Sequence, residues 1–265
     1  MIIGNWAEGV NKNQKNLKYE HDDIVPFEKS GKPKKEQVAE MFNEIAHRYD
    51  FLNRFLSAGI DISWRKKALA QLKGKKISQM LDVATGTADV AIMAMEHLKP
   101  PPEKIIGIDI SDGMLELGRK KLVSKALNDK ISLENGDSEA IKFPDNTFEA
   151  ITVAFGVRNF SNLPKGLEEM LRVLKPGGKA VILEFSKPKI RGVKELYNLY
   201  TRIIAPEAGG FISGNKKAYR YLNDSIKAFP EGQKFLNIMQ EAGFADCYKK
   251  TLSLGICTIY CGSKP

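Results

Sequence analysis

A turn of small residues between a predicted buried strand and a helix constrains the fold of this chain more than any other segment. The strand is apolar apart from Asp82, and the turn at residues 84–88 contains one glycine, Gly86. A second apolar strand follows and ends in Asp109, 22 residues after Thr87. A small-residue turn lets a ligand lie against the backbone, and an acid at the end of the next parallel strand can bind a ribose diol. The pattern predicts an α/β fold with a nucleoside site.

Strands and helices alternate around this turn. Strands are predicted at 77–83, 104–109, 131–135, 148–154 and 178–185, and helices at 88–98, 113–126 and 164–174. Such alternation requires right-handed crossovers and a parallel sheet covered on both faces. Further helices are predicted at 193–205, 216–227 and 231–242, and strands at 245–253 and 255–262. The turn between these last two strands is very short, so they must form an antiparallel hairpin.

The segment before the first strand is predicted to be helical. Residues 1–33 show no periodicity and are predicted to form a loose N-terminal tail. Apolar residues then recur at helical spacing in three stretches, which predicts a helical lid at 34–76. Residues 34–265 are expected to form a single domain. It comprises this lid, a cofactor-binding core at 77–185, and substrate-side helices with the terminal hairpin at 186–265.

The composition of the turn distinguishes between two kinds of nucleoside. A dinucleotide needs Gly-x-Gly-x-x-Gly for the close approach of its pyrophosphate, whereas this turn offers only Gly86. Asp82 and Asp89 would also repel a pyrophosphate. S-adenosylmethionine has no phosphate and carries a positive sulfonium and an ammonium. The sheet with its terminal hairpin is also typical of Rossmann-like class I S-adenosylmethionine methyltransferases, which have seven strands with one inserted antiparallel.

A second acidic turn is expected to complete the nucleoside site. Gly136, Asp137 and Ser138 follow the third strand, where the edge of an adenine would lie. A carboxylate there can accept the exocyclic amino group, and Ser138 adds a hydroxyl or a backbone donor. The same residues also fit an ordinary Gly-Asp turn, but the pairing with Asp109 favours the adenine role.

Several segments beyond these turns are similar to one family, the ubiquinone/menaquinone biosynthesis C-methyltransferases. They are FNEIAHRYDFLN at 42–53, SAGIDISWRK at 57–66, FGVRNF at 155–160, RVLKPGG at 172–178, EFSKP at 184–188 and YRYLNDSI at 219–226. The resemblance covers roughly residues 36–262. The Lys-Pro-Gly-Gly turn is common to many methyltransferases, whereas the segments at 42–53 and 155–160 are far more specific.

This resemblance implies a set of cofactor contacts. They are Thr87 in the turn, Asp109 on the ribose, and Asp137 with Ser138 at the adenine. The chain also departs from the family pattern at three places. Ala88 replaces a glycine, which is tolerable if that residue is already helical; Ala154 replaces a serine found in some members; and residues 61–62 replace a His-Arg pair.

The resemblance also implies the reaction, namely methyl transfer from S-adenosylmethionine to a ring carbon of a polyprenylated quinol. Conversion of demethylmenaquinol to menaquinol is favoured. The alternatives are a bifunctional or ubiquinone-pathway enzyme, or a class I methyltransferase for another small molecule. A ring carbon becomes a good nucleophile when the ring hydroxyl, with a pKa of about 10, loses its proton. The sequence assigns no catalytic residue and indicates no metal, but it offers candidates for handling this proton: His47, Tyr49, Asp50, Asp61 and Arg158.

The net charge of +9 lies in the segments that flank the predicted core. Residues 49–76 carry +5 and residues 186–265 carry +7. Solubility alone, an anionic membrane surface or nucleic acid would each fit this distribution. Nucleic acid is disfavoured because the basic residues are spread over separate helices. We therefore expect a cytoplasmic enzyme with thiol cysteines that contacts the inner face of the membrane, where a lipid-soluble quinol resides.

Overall fold

Seven strands form one sheet at the centre of the molecule. The computed structural model describes residues 19–192, 195 and 216–265. The strands are β1 (Gln79–Val83), β2 (Lys104–Asp109), β3 (Ile131–Asn135), β4 (Phe148–Ala154), β5 (Leu174–Phe185), β6 (Ala245–Leu252) and β7 (Cys257–Ser263). Their order across the sheet is β3-β2-β1-β4-β5-β7-β6. β1 to β5 are parallel, and β7 is antiparallel to both of its neighbours, so the predicted sheet and terminal hairpin are confirmed.

The register of the central strands brings the ends of three of them to one edge. Val83, at the end of β1, lies opposite Ile108 of β2 and Val153 of β4. All three side chains are buried, as expected for strands covered on both faces. The turns that follow β1, β2 and β4 therefore emerge side by side, which is where open α/β sheets bind ligands.

Helices cover both faces of the sheet. Within the described residues they are α1 (Lys34–Leu56), α2 (Ile60–Leu69), α3 (Asp89–His97), α4 (Asp112–Ser124), α5 (Leu163–Val173), α6 (Lys216–Ala228) and α7 (Gln233–Glu241). One apolar cluster joins the sheet to α2, α3 and α4, and a second joins it to α5 and α7. Side chains that accept backbone N–H bonds begin two of these helices, Ser111 at α4 and Asn162 at α5. No helix of the described part has an apolar run long enough to cross a bilayer.

Two predicted elements differ from the structure by more than two residues at a boundary. The first two lid stretches form one continuous helix, α1, because no glycine or proline interrupts residues 34–56. β5 begins at Leu174 rather than at 178, since Leu174 pairs with Phe148 ahead of an irregularity in the ladder. Gly177 absorbs this irregularity with a φ of +72°, a conformation that glycine adopts without strain. The helix predicted at 193–205 lies outside the described residues, apart from residue 195.

Residues 19–27 are packed, so the predicted loose tail is wrong for this part of the chain. His21 is fully buried and lies edge-on to Phe229. Ile24 and Phe27 pack on an apolar cluster built from α1 and α6. Apolar contacts made far along the chain hold this segment, which is why its local sequence shows no periodicity. For residues 1–18, which lie outside the described part, the tail stays a prediction.

Candidate functional site

A cleft of about 650 Å³, partly open to solvent, lies at the edge of the sheet where β1, β2 and β4 end. α1 covers one side of it. Its acidic and polar lining includes Asp109, Asp137 and Ser138, and its apolar lining includes Phe42, Met114 and Phe155. The structure thus brings together three of the four predicted cofactor contacts, which lie on separate turns of the chain.

The carboxylate of Asp109 is held rigidly by two backbone groups. Gly86 N–H donates to Oδ2 at 2.8 Å and Ser111 N–H donates to Oδ1 at 2.9 Å. Burial raises the pKa of Asp109, and these two bonds oppose that shift. A carboxylate offers about four acceptor positions, so capacity remains for two hydroxyl donors. Ser111, not Asp109, caps α4 through its side-chain oxygen.

Asp137 and Ser138 line the cleft close to the start of α1, where Lys35 contacts Asp137. Asp137 Oδ1 accepts the backbone N–H of Glu139 at 2.9 Å, which fixes the turn. Its other oxygen accepts a hydrogen bond from Lys35, which also approaches Glu139 at 3.7 Å. Lys35 therefore connects the lid to the adenine end of the predicted site. It lies 102 residues from Asp137, and nothing in the local sequence indicated this contact.

A second cleft, of about 340 Å³, adjoins the first along the turn after β1. The two clefts share Tyr49, Gly86 and Ala154 in their walls. The charged and hydroxyl-bearing side chains that line the second one are Arg65, Asp82, Thr85, Thr87 and Asp89. Thr87, the fourth predicted cofactor contact, therefore lies in the smaller cleft and not in the larger one.

The hydroxyl of Thr87 joins the turn to the lid. It donates to Asp50 of α1 at 2.6 Å and accepts a hydrogen bond from Lys121 of α4 at 2.8 Å. Lys121 also bonds Asp89 at 2.8 Å. The predicted helical conformation of Ala88 is wrong, because this residue has a φ of +66°, in the left-handed region. An alanine there is strained where the family's glycine would not be.

Asp82 lies beneath the second cleft and is almost fully buried. Burial raises its pKa to about 6. Thr85 donates to one of its oxygens at 2.6 Å and Thr152 to the other at 2.5 Å. These two hydroxyls satisfy the carboxyl group, so it can remain in the interior without an ion pair.

Of the proton-handling candidates on the lid, Tyr49 lines the cleft. Its ring packs edge-on against Phe42, with the two centroids 5.8 Å apart. His47 is exposed on the outer face of α1. Asp50 is bonded to Thr87 and Lys121, and Asp61 forms ion pairs with Arg54 and Arg65. The positions of these side chains favour Tyr49 over the other three.

Arg158 is held in a buried ion pair beside the cleft. Its Nη1 donates to Glu184 Oε1 at 2.8 Å and also to the carbonyl oxygen of Phe155. Arg158 is 4% exposed and Glu184 is fully buried. Burial raises the pKa of Glu184, and the guanidinium opposes that rise. The role of Arg158 in stabilising a phenolate therefore stays a prediction, whereas its structural pairing is observed.

The site has the chemistry that S-adenosylmethionine requires. Asp109 and Asp137 line the larger cleft together with the apolar side chain of Met114. Asp82 of β1 and Asp89 of α3 flank the turn and line the second cleft, and these carboxyl groups suit a cationic ligand better than a phosphate. Gly156 lets the β4 turn approach the β1 turn, since a Cβ there would lie 2.6 Å from the Cβ of Ala84.

Comparison with known proteins identifies the family. The family model described as "ubiE/COQ5 methyltransferase family" matches residues 30–264. A demethylmenaquinone methyltransferase of Bacteroides fragilis is 46% identical over 248 residues, covering 94% of this chain and all of that protein. The ubiquinone/menaquinone biosynthesis C-methyltransferase UbiE of Geobacter sulfurreducens is 46% identical over 231 residues, covering 87% and 90% of the two chains.

A solved structure supports the fold. A putative S-adenosyl-L-methionine-dependent methyltransferase of Methanococcus maripaludis aligns with a TM-score of 0.59 and 20% identity, covering 84% of this chain and 94% of that one. The chain is therefore an S-adenosylmethionine-dependent methyltransferase with the class I, Rossmann-like architecture. It belongs to the ubiE/COQ5 methyltransferase family.

Proposed function

We propose that this enzyme methylates a ring carbon of a polyprenylated quinol, with demethylmenaquinol as the favoured substrate. The observation that carries the proposal is the composition of the larger cleft. Acidic residues suited to a nucleoside lie beside an apolar wall that includes Phe42, Phe155 and Phe160, which suits an aromatic ring. The name of the Bacteroides fragilis relative supports menaquinone, and that of the Geobacter sulfurreducens relative keeps a ubiquinone precursor as a second candidate.

Four residues are proposed to hold the cofactor. Asp109 would accept the ribose hydroxyls, and Asp137 with Ser138 would bind the adenine edge. Thr87 would stabilise the turn on which the methionine end lies. S-adenosylmethionine supplies an electrophilic methyl group bonded to a sulfonium. The protein's own part is to hold the ring carbon in line with that bond, because correct alignment can supply most of the acceleration.

Tyr49 is proposed to contact the quinol ring. It lies in the wall that the two clefts share, so it stands between the regions proposed for the substrate and for the methionine end. The hydroxyl of a tyrosine can donate a hydrogen bond. It would therefore favour the phenolate form of a substrate hydroxyl within reach, which increases the nucleophilicity of the ring carbon.

Radiolabelled methyl transfer tests the proposed substrate. The enzyme is incubated with methyl-labelled S-adenosylmethionine and either a demethylmenaquinol analogue or a ubiquinone precursor with the same prenyl tail. We expect label in the extracted menaquinone and much less in the ubiquinone product. Equal labelling of both would support the bifunctional alternative. Label in neither quinone, in a protein that binds S-adenosylhomocysteine, would reject the quinol assignment.

The lid is further proposed to contact an anionic membrane surface on the cytoplasmic side. Ile60 and Ile62 at the start of α2 are exposed apolar side chains, and Phe51 on α1 is more than half exposed. They lie within the segment 49–76, which carries a net charge of +5. Apolar side chains surrounded by basic residues are typical of peripheral membrane contacts. This contact would bring the cleft to a substrate whose tail stays in the bilayer.

Vesicle sedimentation tests this contact. We expect the protein to sediment with vesicles that contain anionic lipid, and to be released by salt, because surface charges are screened over about 10 Å at 0.1 M salt. The Ile60→Ser/Ile62→Ser variant should bind less, and the control Val123→Ser, at an exposed apolar side chain of α4, should bind as the wild type does. Binding that is independent of anionic lipid would contradict the proposal.

A further inference from the structure

The turn between β6 and β7 presents an exposed leucine on strained backbone. Ser253 and Leu254 have φ values of +44° and +56°, in the left-handed region that glycine and asparagine adopt at less cost. Leu254 is 63% exposed, so its side chain contributes little to the core. Strained backbone tends to be kept where it serves a function. Here it holds an apolar side chain out in the solvent, which points to a partner outside the fold.

The backbone of this turn is fixed by side chains from two other elements. Ser253 Oγ accepts the indole N–H of Trp64 in α2 at 2.8 Å. The carbonyl oxygen of Gly255 accepts the hydroxyl of Ser186, directly after β5, also at 2.8 Å. A segment that is already ordered loses little conformational entropy when a partner covers it. The turn is therefore preorganised to bury Leu254 against another surface.

Exposed apolar side chains also lie on the elements that contact this turn. On α2, Ile60 is 47% exposed and lies one helical turn before Trp64, on the same stripe of the helix. After β5, Ile190 is 55% exposed and lies two residues beyond Pro188, which packs against the turn. Together with Leu254 they form a surface that we call the apolar rim. Several exposed apolar side chains on neighbouring segments indicate an interaction surface.

The apolar rim lies at the edge of the sheet where the larger cleft opens. β5 is parallel to β4, and its last residue, Phe185, pairs with Cys257 at the start of β7. The turn before β7 therefore emerges at the edge where β1, β2 and β4 end. Phe155 in the wall of the cleft packs against Phe185 and Trp64, with ring centroids 4.5 and 6.3 Å apart. A partner that covers the rim would lie next to the cleft.

The segments that carry the apolar rim are basic. Residues 60–67, 187–190 and 249–256 each have a net charge of +2. The one acidic residue in these ranges, Asp61, is buried in ion pairs with two arginines. In a symmetric dimer this surface would face its own copy, and the like charges would repel each other. An anionic bilayer offers negative charge to the basic residues and an apolar interior to the rim.

We propose that the apolar rim enters the headgroup region of an anionic bilayer, with Leu254 as the contact from the core of the domain. The proposal rests on the membrane contact proposed for the lid and extends it, because Leu254 and Ile190 follow core strands whereas Ile60 belongs to the lid. Contacts on both parts orient the molecule with the open edge of the cleft against the bilayer. A quinol then reaches the cleft while its prenyl tail stays in the lipid.

A tryptophan reporter at the turn tests this contact directly. The vesicles contain phosphatidylcholine and phosphatidylglycerol with brominated acyl chains, and the wild type supplies the background from its two tryptophans. We expect the added emission of Leu254→Trp to shift to shorter wavelength and to be quenched, and vesicles of phosphatidylcholine alone to have no effect. Val123→Trp is the matched control, because Val123 is 69% exposed but lies at the end of α4, at the opposite edge of the sheet. Its emission should not change.

Leu254→Asn removes the apolar side chain while the turn is retained, because asparagine adopts the left-handed region readily. We expect this variant to melt at or above the Tm of the wild type. It should need about fivefold more anionic lipid for half-maximal sedimentation, since it loses the transfer free energy of a partly buried leucine. Val123→Ser should sediment as the wild type does.

The proposal fails if Leu254→Trp is not quenched by vesicles that sediment the protein, or if Leu254→Asn sediments as the wild type does. The lid contact stands in either case if Ile60→Ser/Ile62→Ser still binds less. A wild type that does not sediment with anionic vesicles overturns both contacts. A dimer that Leu254→Asn dissociates, with no quenching of Leu254→Trp, assigns the rim to a second copy of the chain instead. Quinol methylation in detergent tests the substrate separately, so the substrate assignment can fail while the membrane contact stands.

Discussion

Arg158→Met is expected to lower the free energy of unfolding by about 3–5 kcal/mol at pH 8, because it leaves the buried carboxylate of Glu184 without its ion-pair partner. Both side chains are almost fully removed from water, so solvent cannot replace the lost guanidinium. Urea unfolding followed by circular dichroism measures the change. Lys120→Met, which removes one partner of an exposed pair with Glu116, is the control and should cost less than about 1 kcal/mol.

The pH dependence of the stability of Arg158→Met shows whether the loss comes from an unpaired charge or from altered packing. The pKa of Glu184 is already raised by burial, and loss of the guanidinium raises it further. A carboxyl whose folded pKa exceeds its unfolded value contributes stability below the unfolded pKa, and that contribution is lost as the pH rises through the folded pKa. The defect of Arg158→Met should therefore be smaller at pH 5 than at pH 8. A defect that does not change with pH would point to packing alone.

Replacing both partners gives a further check. The double variant Arg158→Met/Glu184→Leu has no buried charge and should recover most of the stability that Arg158→Met loses. If the double variant is as unstable as Arg158→Met, the unpaired charge of Glu184 is not the source of the lost stability. The activity of the double variant is informative as well. A double variant that folds but is inactive would support a role of Arg158 in the reaction.

Asp109→Ala is expected to weaken the binding of S-adenosylhomocysteine by about 1.5–3 kcal/mol, or roughly 10- to 150-fold, because it deletes charge-assisted hydrogen bonds to the ribose. The carboxylate is fixed by Gly86 and Ser111, so no reorganisation is needed before it accepts the hydroxyls. Isothermal calorimetry on the folded variant measures the loss. Asp109→Asn keeps one acceptor oxygen and should lose less.

The control for this variant lies three residues along the chain. Asp112→Ala removes the same charge from an exposed position at the start of α4 and should bind as the wild type does. Unchanged affinity of a folded Asp109→Ala protein would reject the ribose role. A thermal melt must accompany the titration, because the alanine also leaves two backbone N–H groups without their acceptor.

The sheet and the two acidic turns were predictable because their signals are local. Each of these patterns is readable within about ten residues, and Asp109 lies at the end of β2, as predicted. The parallel pairing of the first strands followed from their alternation with helices, and the antiparallel end followed from the short terminal turn. These features depend on periodicity and turn chemistry, which the sequence expresses directly.

The contacts between charged side chains were not predictable in the same way. Lys35 reaches Asp137 over 102 residues, and Arg158 reaches Glu184 over 26. Asp61 and Arg65 are four residues apart on one helix, a spacing that reads as an ordinary surface ion pair until the burial of both is known. The helical conformation predicted for Ala88 was also wrong, because this residue precedes α3 as its N-terminal cap and has a positive φ.

The length of α1 has a kinetic consequence. Lys35 near its start contacts Asp137, Asn43 in its middle accepts hydrogen bonds from Ser111 and Gly113, and Arg54 near its end pairs with Asp89. These contacts span most of a 23-residue helix, about 35 Å long. Freeing one end alone would require the helix to break internally, at the cost of several backbone hydrogen bonds. Both ends of the cofactor site should therefore open together, and exchange of spent for fresh cofactor should proceed with a single rate constant.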